Sequence, residues 1–545
     1  MASAAAVVTL NVGGELFQTT AGTLARAGAS SPLSTLSPST PTDPHFLDRD
    51  PRHFALLLSF LRRGRLPSPP SAGLLAEARH FGLEGALQAS LSPASAFAPL
   101  SLRPSALLPL TGRVAPSAVA VCPSPHPASV VAAHGGIVTC FDAALASRRS
   151  VLTPLPAVDS LVAVSLDLAV AGAHDFPGVH LCRFSDAPAA PEVLSWPGSP
   201  SANVLSMAAT AASEAVPLPW LFTSFESARR NSSAVVAFDL ISMSPVAEIG
   251  RKEVFGADIE AAIPATKLGW LGGHNLLFAA GSHSGPAGVV GDIRLWDVRA
   301  SSTVPVWEVR EKEDCFADVA ASDKLSALFK VSAASGEVFT ADLRRLGNNG
   351  AIELDPWVCI GDGQRAAAAA SSRRKEGNGC RIECYCNWVF VARGADVEVW
   401  SQVKLAPEAG GKKVMRRNWV GSGPSTEMGG SEEGIKEKNK IVSWGFGGSR
   451  MALARAEKQS IDVWDSAPEA ICNLSLNAWK SSFKLEMEKV LLRAKPSLKK
   501  AVDNWMSNYL EKKSLRGYAS CLPIAKIVTR EDDKLCYVDT SIDLA

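Results

Sequence analysis

The stretch LLFAAGSHSGPAGVVGDIRLWDVR, Leu276 to Arg299, holds an apolar run of strand length, a Gly/Ser/His/Pro loop and a second apolar run closing on Trp296-Asp297. The same layout returns in VVAAHGGIVTCFD, LAVAGAHDFPGVHLCRF, WLFTSFESARRNSSAVVAFDL, LSALFKVSAASGEVFTADLR, WVFVARGADVEVW and RMALARAEKQSIDVWD. Short apolar runs bounded by turn-forming residues read as β-hairpins. Their ends fall at Asp142, Phe184, Asp239, Asp297, Asp342, Trp400 and Asp465. A lone hairpin buries too little surface to be stable in water, so a hairpin repeated along a chain must pack against its own copies.

The spacing of those ends is near the ~40 to 45 residues of WD-type blades, or longer where loops intervene. Only Trp296-Asp297 and Trp464-Asp465 carry the full dipeptide, so the repeats resemble the WD family in degenerate form. Closing small sheets into a ring leaves only short, protected edges. The expected architecture for residues 116–476 is therefore an all-β propeller of about seven blades. Two insertions, GDGQRAAAAASSRRKEGNG and GSGPSTEMGGSEEGIKEKNK, read as solvated loops between blades, and KKVMRRNW as a solvated edge or a basic contact for acidic partners.

The start of the chain has another texture. In VVTLNVGGELFQTTAGTL, Gly13 and Gly14 lie between two strand-like runs and lack the Lys-Ser/Thr spacing of a phosphate loop. A two-residue hairpin turn, which needs positive φ, is the expected use of that pair. In DPRHFALLLSFLRRG, Phe54, Leu57, Leu58 and Leu61 recur at helical spacing, with Asp50 as N-cap, Pro51 at the first position and Gly64 as the stop. LLAEARHFGLEGALQ reads as a second helical piece, and the Pro/Ser-rich sequence that follows as a linker over 92–115.

VTLNVGGELFQTT, FLDRDPRHFALLLSFLRRGRLP and LLAEARHFGL, in that order, resemble the BTB/POZ domain of the potassium-channel tetramerisation type. The resemblance covers residues 7–91 and implies a small α/β domain that assembles with copies of itself. It places the assembly or partner interface at Phe17, Asp48, Arg49, Asp50, Phe54 and Leu58. Read from the residues alone, Asp50 equally caps a helix while Asp48 and Arg49 form a local ion pair.

Composition narrows the chemistry. Lys+Arg 55 against Asp+Glu 54 gives a net charge of +1, so no global field draws the chain to nucleic acid. Eleven scattered cysteines and the absence of a recognisable signal peptide predict reduced thiols in the cytoplasm or nucleus. Cys380, Cys384 and Cys386 lie close together but lack a partner His, so no metal site is expected. The longest charge-free run, Val114 to Phe141, is broken by four prolines and cannot span a membrane as a helix. The nine histidines form no recognisable catalytic signature, and His134, His274 and His283 sit beside glycines where a turn-holding role is expected. Neither enzymatic activity nor a cofactor is expected.

A BTB/POZ domain followed by a WD-like propeller resembles plant substrate adaptors of cullin-3 ubiquitin ligases. The resemblance implies that the N-terminal domain self-associates and docks cullin-3, while the propeller captures an unidentified protein target. Two alternatives stand beside it. One is a homo-oligomeric scaffold that binds no ligase. The other uses Trp296, Asp297 and Arg299, whose WDVR box resembles the motif by which propellers dock the linker protein of cullin-4 ligases; an ion pair within the blade explains the same residues. Residues 477–545 turn Lys-rich and read as a partly helical tail, either partner-binding or an atypical terminus.

Overall fold

The computed structural model describes residues 7–28, 31–37, 43–64, 66, 70–123, 127–184, 192–210, 220–253, 263–285, 288–300, 304–311, 315–346, 356–369, 376–404, 413–421, 439–466, 526–527 and 538–539. The N-terminal part opens with strands β1 (Val7–Val12) and β2 (Glu15–Thr20) and helix α1 (Ala21–Ala25). Then follow strand β3 (His45–Leu47) and helices α2 (Pro51–Arg63), α3 (Ala72–His80) and α4 (Glu84–Leu91). β1 pairs antiparallel with β2 and parallel with β3, in the order β2-β1-β3. Gly13 and Gly14 occupy the turn with φ of 54° and 98°, the left-handed pair such a turn requires.

α2 begins and ends as its sequence predicts. The Asp50 carboxylate accepts the Arg52 N–H at 2.9 Å, and Gly64 stops the helix at φ 73°. Its apolar stripe is fully used: Phe54, Leu57, Leu58 and Leu61 are each under 5% exposed and pack with Val8, Leu10, Val12, Leu74 and Phe81. Each such side chain contributes about 1.5–3 kcal/mol by leaving water. The segment read as one further helical piece is two, because the chain turns at Gly82, φ 67°.

From residue 102 the described chain is almost entirely antiparallel sheet. Five four-stranded sheets accompany one eight-stranded sheet in which two four-stranded units meet at a single pair, Pro177 and Asn203. The result is seven blades. The first six have their inner strands at Ala118–Val121, Ser160–Ala163, Asn203–Ala209, Lys267–Leu271, Phe316–Ser322 and Arg381–Tyr385. The inner strand of the seventh is Ile441–Gly447, and its outermost strand is Leu102–Pro109, which precedes the first blade in sequence. The Ser105 hydroxyl donates to the Val463 carbonyl at 3.2 Å, and Leu110 N–H to that of Gln459 at 3.0 Å. A stretch read as linker is thus a strand, and it ties the two ends of the repeat array together.

Successive inner strands touch from the first blade to the sixth, and the seventh touches the first. One device recurs at these seams. The backbone N–H of an inner strand donates to a side chain on the preceding blade: Leu268 to Ser206 at 3.1 Å, Ile382 to Asp318 at 2.9 Å, and Val119 to Ser443 at 3.0 Å. Between blades six and seven, Tyr385 stacks on Phe446 at 5.5 Å and donates its hydroxyl to the Gly448 carbonyl at 2.8 Å.

Residues 363–369, inside one of the insertions read as a loop, form a short helix capped by Asp362, which accepts the Gln364 N–H at 3.0 Å. The helical tail read at 477–545 lies outside the described residues, except that Lys526–Ile527 pairs antiparallel with Val538–Asp539.

Candidate protein-interaction surfaces

The register of the N-terminal sheet decides which residues can meet a partner. Leu10 lies opposite Phe17 and His45, whereas Asn11 lies opposite Leu16 and Phe46. Side chains alternate faces along a strand. The Leu10 row therefore closes on the helices, and the Asn11 row points away from them. Leu16 is 60% exposed and Phe46 65% exposed, giving an apolar row on the outer face of the sheet. Such a row is a candidate interaction surface.

Of the six residues predicted for the interface, three belong to the core. Phe54 and Leu58 are 1% and 3% exposed, because the helix stripe that carries them covers the inner face of the sheet. Phe17 is half-buried and meets Phe54 edge-on at 5.3 Å. Asp48 is exposed beside Phe46. Arg49 does not close a local pair with Asp48: its guanidinium reaches Glu77 at 3.7 Å and the His80 ring at 3.0 Å, tying the turn before α2 to α3. Asp50 caps α2 and also meets His53 at 3.0 Å. Leu16 and Phe46 were not singled out by the sequence. The signal that finds them is the alternation read from Phe17 and Leu10.

The connection to the propeller is built rather than slack. Ser449 N–H donates to the Ser92 hydroxyl oxygen at 2.9 Å, and the two hydroxyls bond at 2.9 Å. Phe97 is 9% exposed and meets Tyr385 at 4.7 Å, Phe390 at 5.9 Å and Phe446 at 6.4 Å. A segment held by hydrogen bonds and an aromatic pocket loses its freedom in the folded chain, so it positions what it connects.

At the WDVR box, Trp296 is 3% exposed and forms part of the wall between blades three and four. Asp297 accepts from the Arg299 guanidinium at 3.0 and 2.9 Å and from its backbone N–H at 3.0 Å. Arg299 thereby holds the carboxyl down at about 2. The next blade repeats the arrangement without a tryptophan, Asp342 accepting from Arg344 at 2.9 and 2.7 Å and from its N–H at 3.0 Å. Asp142 and Asp239 likewise accept backbone N–H groups of the following turn. The aspartate that closes these hairpins is a turn clasp, which is why it recurs in the sequence.

Lys267 on blade four bonds Asp318 of blade five at 3.1 Å and the Ile382 carbonyl of blade six at 2.7 Å, with Glu383 at 3.5 Å. Burial acts to lower its pKa, but the neighbouring carboxylates win and hold it charged. The group serves to lock three blades. His274 donates its Nδ1–H to the Asp323 carboxylate at 2.6 Å, and Gly273 N–H donates to the same carboxylate at 2.6 Å, so this histidine holds a turn between blades. His134 is buried, which lowers its pKa, and His283 lies in the strand Leu276–Gly285. Burial pushes Cys122, Cys140 and Cys182 up to about 12, leaving protonated, unreactive thiols. Among the described residues no cluster could hold a metal ion, and no helix is long and apolar enough to cross a membrane.

The BTB/POZ domain family model matches residues 8–90. A BTB/POZ domain-containing protein of Arabidopsis thaliana is 41% identical over 476 residues, which cover 85% of this chain and 97% of that protein. Another Arabidopsis protein of the same description is 44% identical over 84 residues, 14% of this chain and 19% of that protein. Among solved structures, the Dos1 propeller is 12% identical with a TM-score of 0.41, covering 65% of this chain and 78% of its own. The RRP9 WD40 repeats are 12% identical with a TM-score of 0.40, covering 69% and 99%.

Proposed function

The chain belongs to the BTB/POZ domain-containing protein family, and from that premise we propose that it is a substrate adaptor of a cullin-3 ubiquitin ligase. Its architecture, an assembly domain joined to a propeller, is that of an adaptor or scaffold. In this reading the N-terminal domain self-associates and docks cullin-3, and the propeller captures a protein target. Catalysis resides in the partner. The observation that carries the reading is the outward apolar row of Leu16 and Phe46, flanked by Asp48, on a domain pinned to the propeller through Ser92 and Phe97. Pairing this row with a second copy removes it from water, and two tethered propellers then capture a bivalent target with an effective concentration in the mM range.

The double variant Leu16→Asp with Phe46→Asp tests it. Both side chains are exposed, so the fold has no reason to fail, but two carboxylates in the row oppose burial against a copy. We expect a monomer with a wild-type melting temperature and reduced recovery of cullin-3. An unchanged oligomer with unchanged cullin-3 recovery contradicts the reading. Recovery of no cullin by the wild-type chain, with self-association intact, points to a scaffold without a ligase.

A further inference from the structure

The basic strand Lys413–Trp419 borders a groove on the propeller. Lys413–Trp419 is the outermost strand of blade six, paired on one side with Asp396–Lys404. Between it and blade five lies an open groove of about 590 Å³. Its apolar surface comes from Ile360, Trp400, Val403 and Met415, and its basic wall from Arg416 and Arg417. Val403 is 38% exposed and Val358 nearby is 62% exposed, so apolar area here faces water.

The charges in the groove are not equally engaged. Arg417 lies over the Trp400 ring at 5.6 Å and 3.8 Å from the Glu398 carboxylate. Arg416 is exposed and makes no ion pair among the described residues. Asp362, on the facing wall, is turned to its own helix, whose Gln364 N–H it accepts. Trp400 is 2% exposed, lines the groove, and its indole N–H has no hydrogen-bond partner among the described residues.

We infer that this groove binds an extended acidic segment of a protein partner carrying a bulky apolar side chain. The apolar floor takes the side chain, Arg416 and Arg417 take the carboxylates, and the strand edge, unpaired on its outer side among the described residues, can take main-chain hydrogen bonds by strand addition. The volume exceeds a single side chain and the open form suits a segment of several residues. Two guanidiniums beside an apolar floor do not make the long basic track that a nucleic acid backbone needs. The inference deepens the adaptor reading by giving the chemistry of a partner at the propeller, and it does not depend on which ligase, if any, the N-terminal domain recruits.

Selection from a library of random eight-residue peptides against the full chain tests it, followed by fluorescence polarisation of the enriched peptides. Enriched sequences are expected to combine Glu or Asp with Leu, Ile, Phe or Trp. Their affinity should fall about tenfold with Arg416→Glu and comparably with Val403→Asp, at unchanged melting temperature, and should fall with salt. Lysine-for-glutamate versions of the same peptides should not bind. The inference is overturned by absence of enrichment, by enrichment without acidic residues, by wild-type affinity in both variants, or by equal competition from a single-stranded oligonucleotide. None of these results bears on cullin-3 recovery or on self-association, so each reading fails separately.

Discussion

Gly13→Val should strongly destabilise the N-terminal domain. Gly13 sits at φ 54°, where a β-branched residue is strained, and its N–H donates to the Leu47 carbonyl at 2.9 Å. A Cβ there would lie 2.5 Å from the Arg49 carbonyl oxygen and 3.1 Å from the Pro51 ring, so backbone must move. What moves is the start of α2, whose Phe54, Leu57 and Leu58 fill the core. Strain and displacement together cost on the order of 3 kcal/mol or more, against the about 5–15 kcal/mol that holds a domain folded. Circular dichroism and urea denaturation of the full chain should show an early transition absent from the wild type, with the propeller transition retained. Gly14→Ala is the control, since a Cβ at that position meets nothing within 4 Å and only the strain of φ 98° remains. Equal, wild-type-like stability for both variants contradicts this account of the turn.

Arg450→Ala should open the ring. Arg450 is 4% exposed, donates to both oxygens of Asp465 at 2.8 and 3.1 Å, and gives its remaining nitrogen to the carbonyls of Ala128 and Ala143 at 2.8 and 3.0 Å. Those two carbonyls belong to the first blade and Asp465 to the seventh, so this guanidinium joins the Val119–Ser443 bond in closing the seam where the repeat array meets its beginning. Removing it strands a carboxylate and two buried carbonyls, at a cost of about 3–5 kcal/mol. Hydrogen exchange should quicken first in Leu102–Pro109 and Arg450–Arg455. Arg450→Lys restores the charge but not the planar fork, and is expected to recover less than half of the loss. Exchange that rises uniformly over all blades would mean that the seam is not the weak point.

The central hairpins were legible because their second and third strands carry the strongest alternating and apolar patterns and close on turn-clasping aspartates. The outer strands were not. Leu102–Pro109 contains Pro104 and Pro109 and reads as linker, yet an outermost strand has one edge without ladder partners and tolerates proline there. In the N-terminal domain, periodicity found the core stripe of α2 correctly, and that same burial removes Phe54 and Leu58 from any exposed interface. Arg49 pairs with Glu77 and His80, residues distant in sequence that only the packing of α3 brings near. The groove between blades five and six was visible only as a basic run, because its floor comes from Ile360 and Trp400 on different blades.

Light scattering on the purified chain mixed with cullin-3 tests whether this chain assembles through its N-terminal domain and recruits a cullin. The expected result is a complex whose mass contains cullin-3 and a multiple of the 57.4 kDa protomer. A peak at 57.4 kDa eluting apart from free cullin-3 would contradict it.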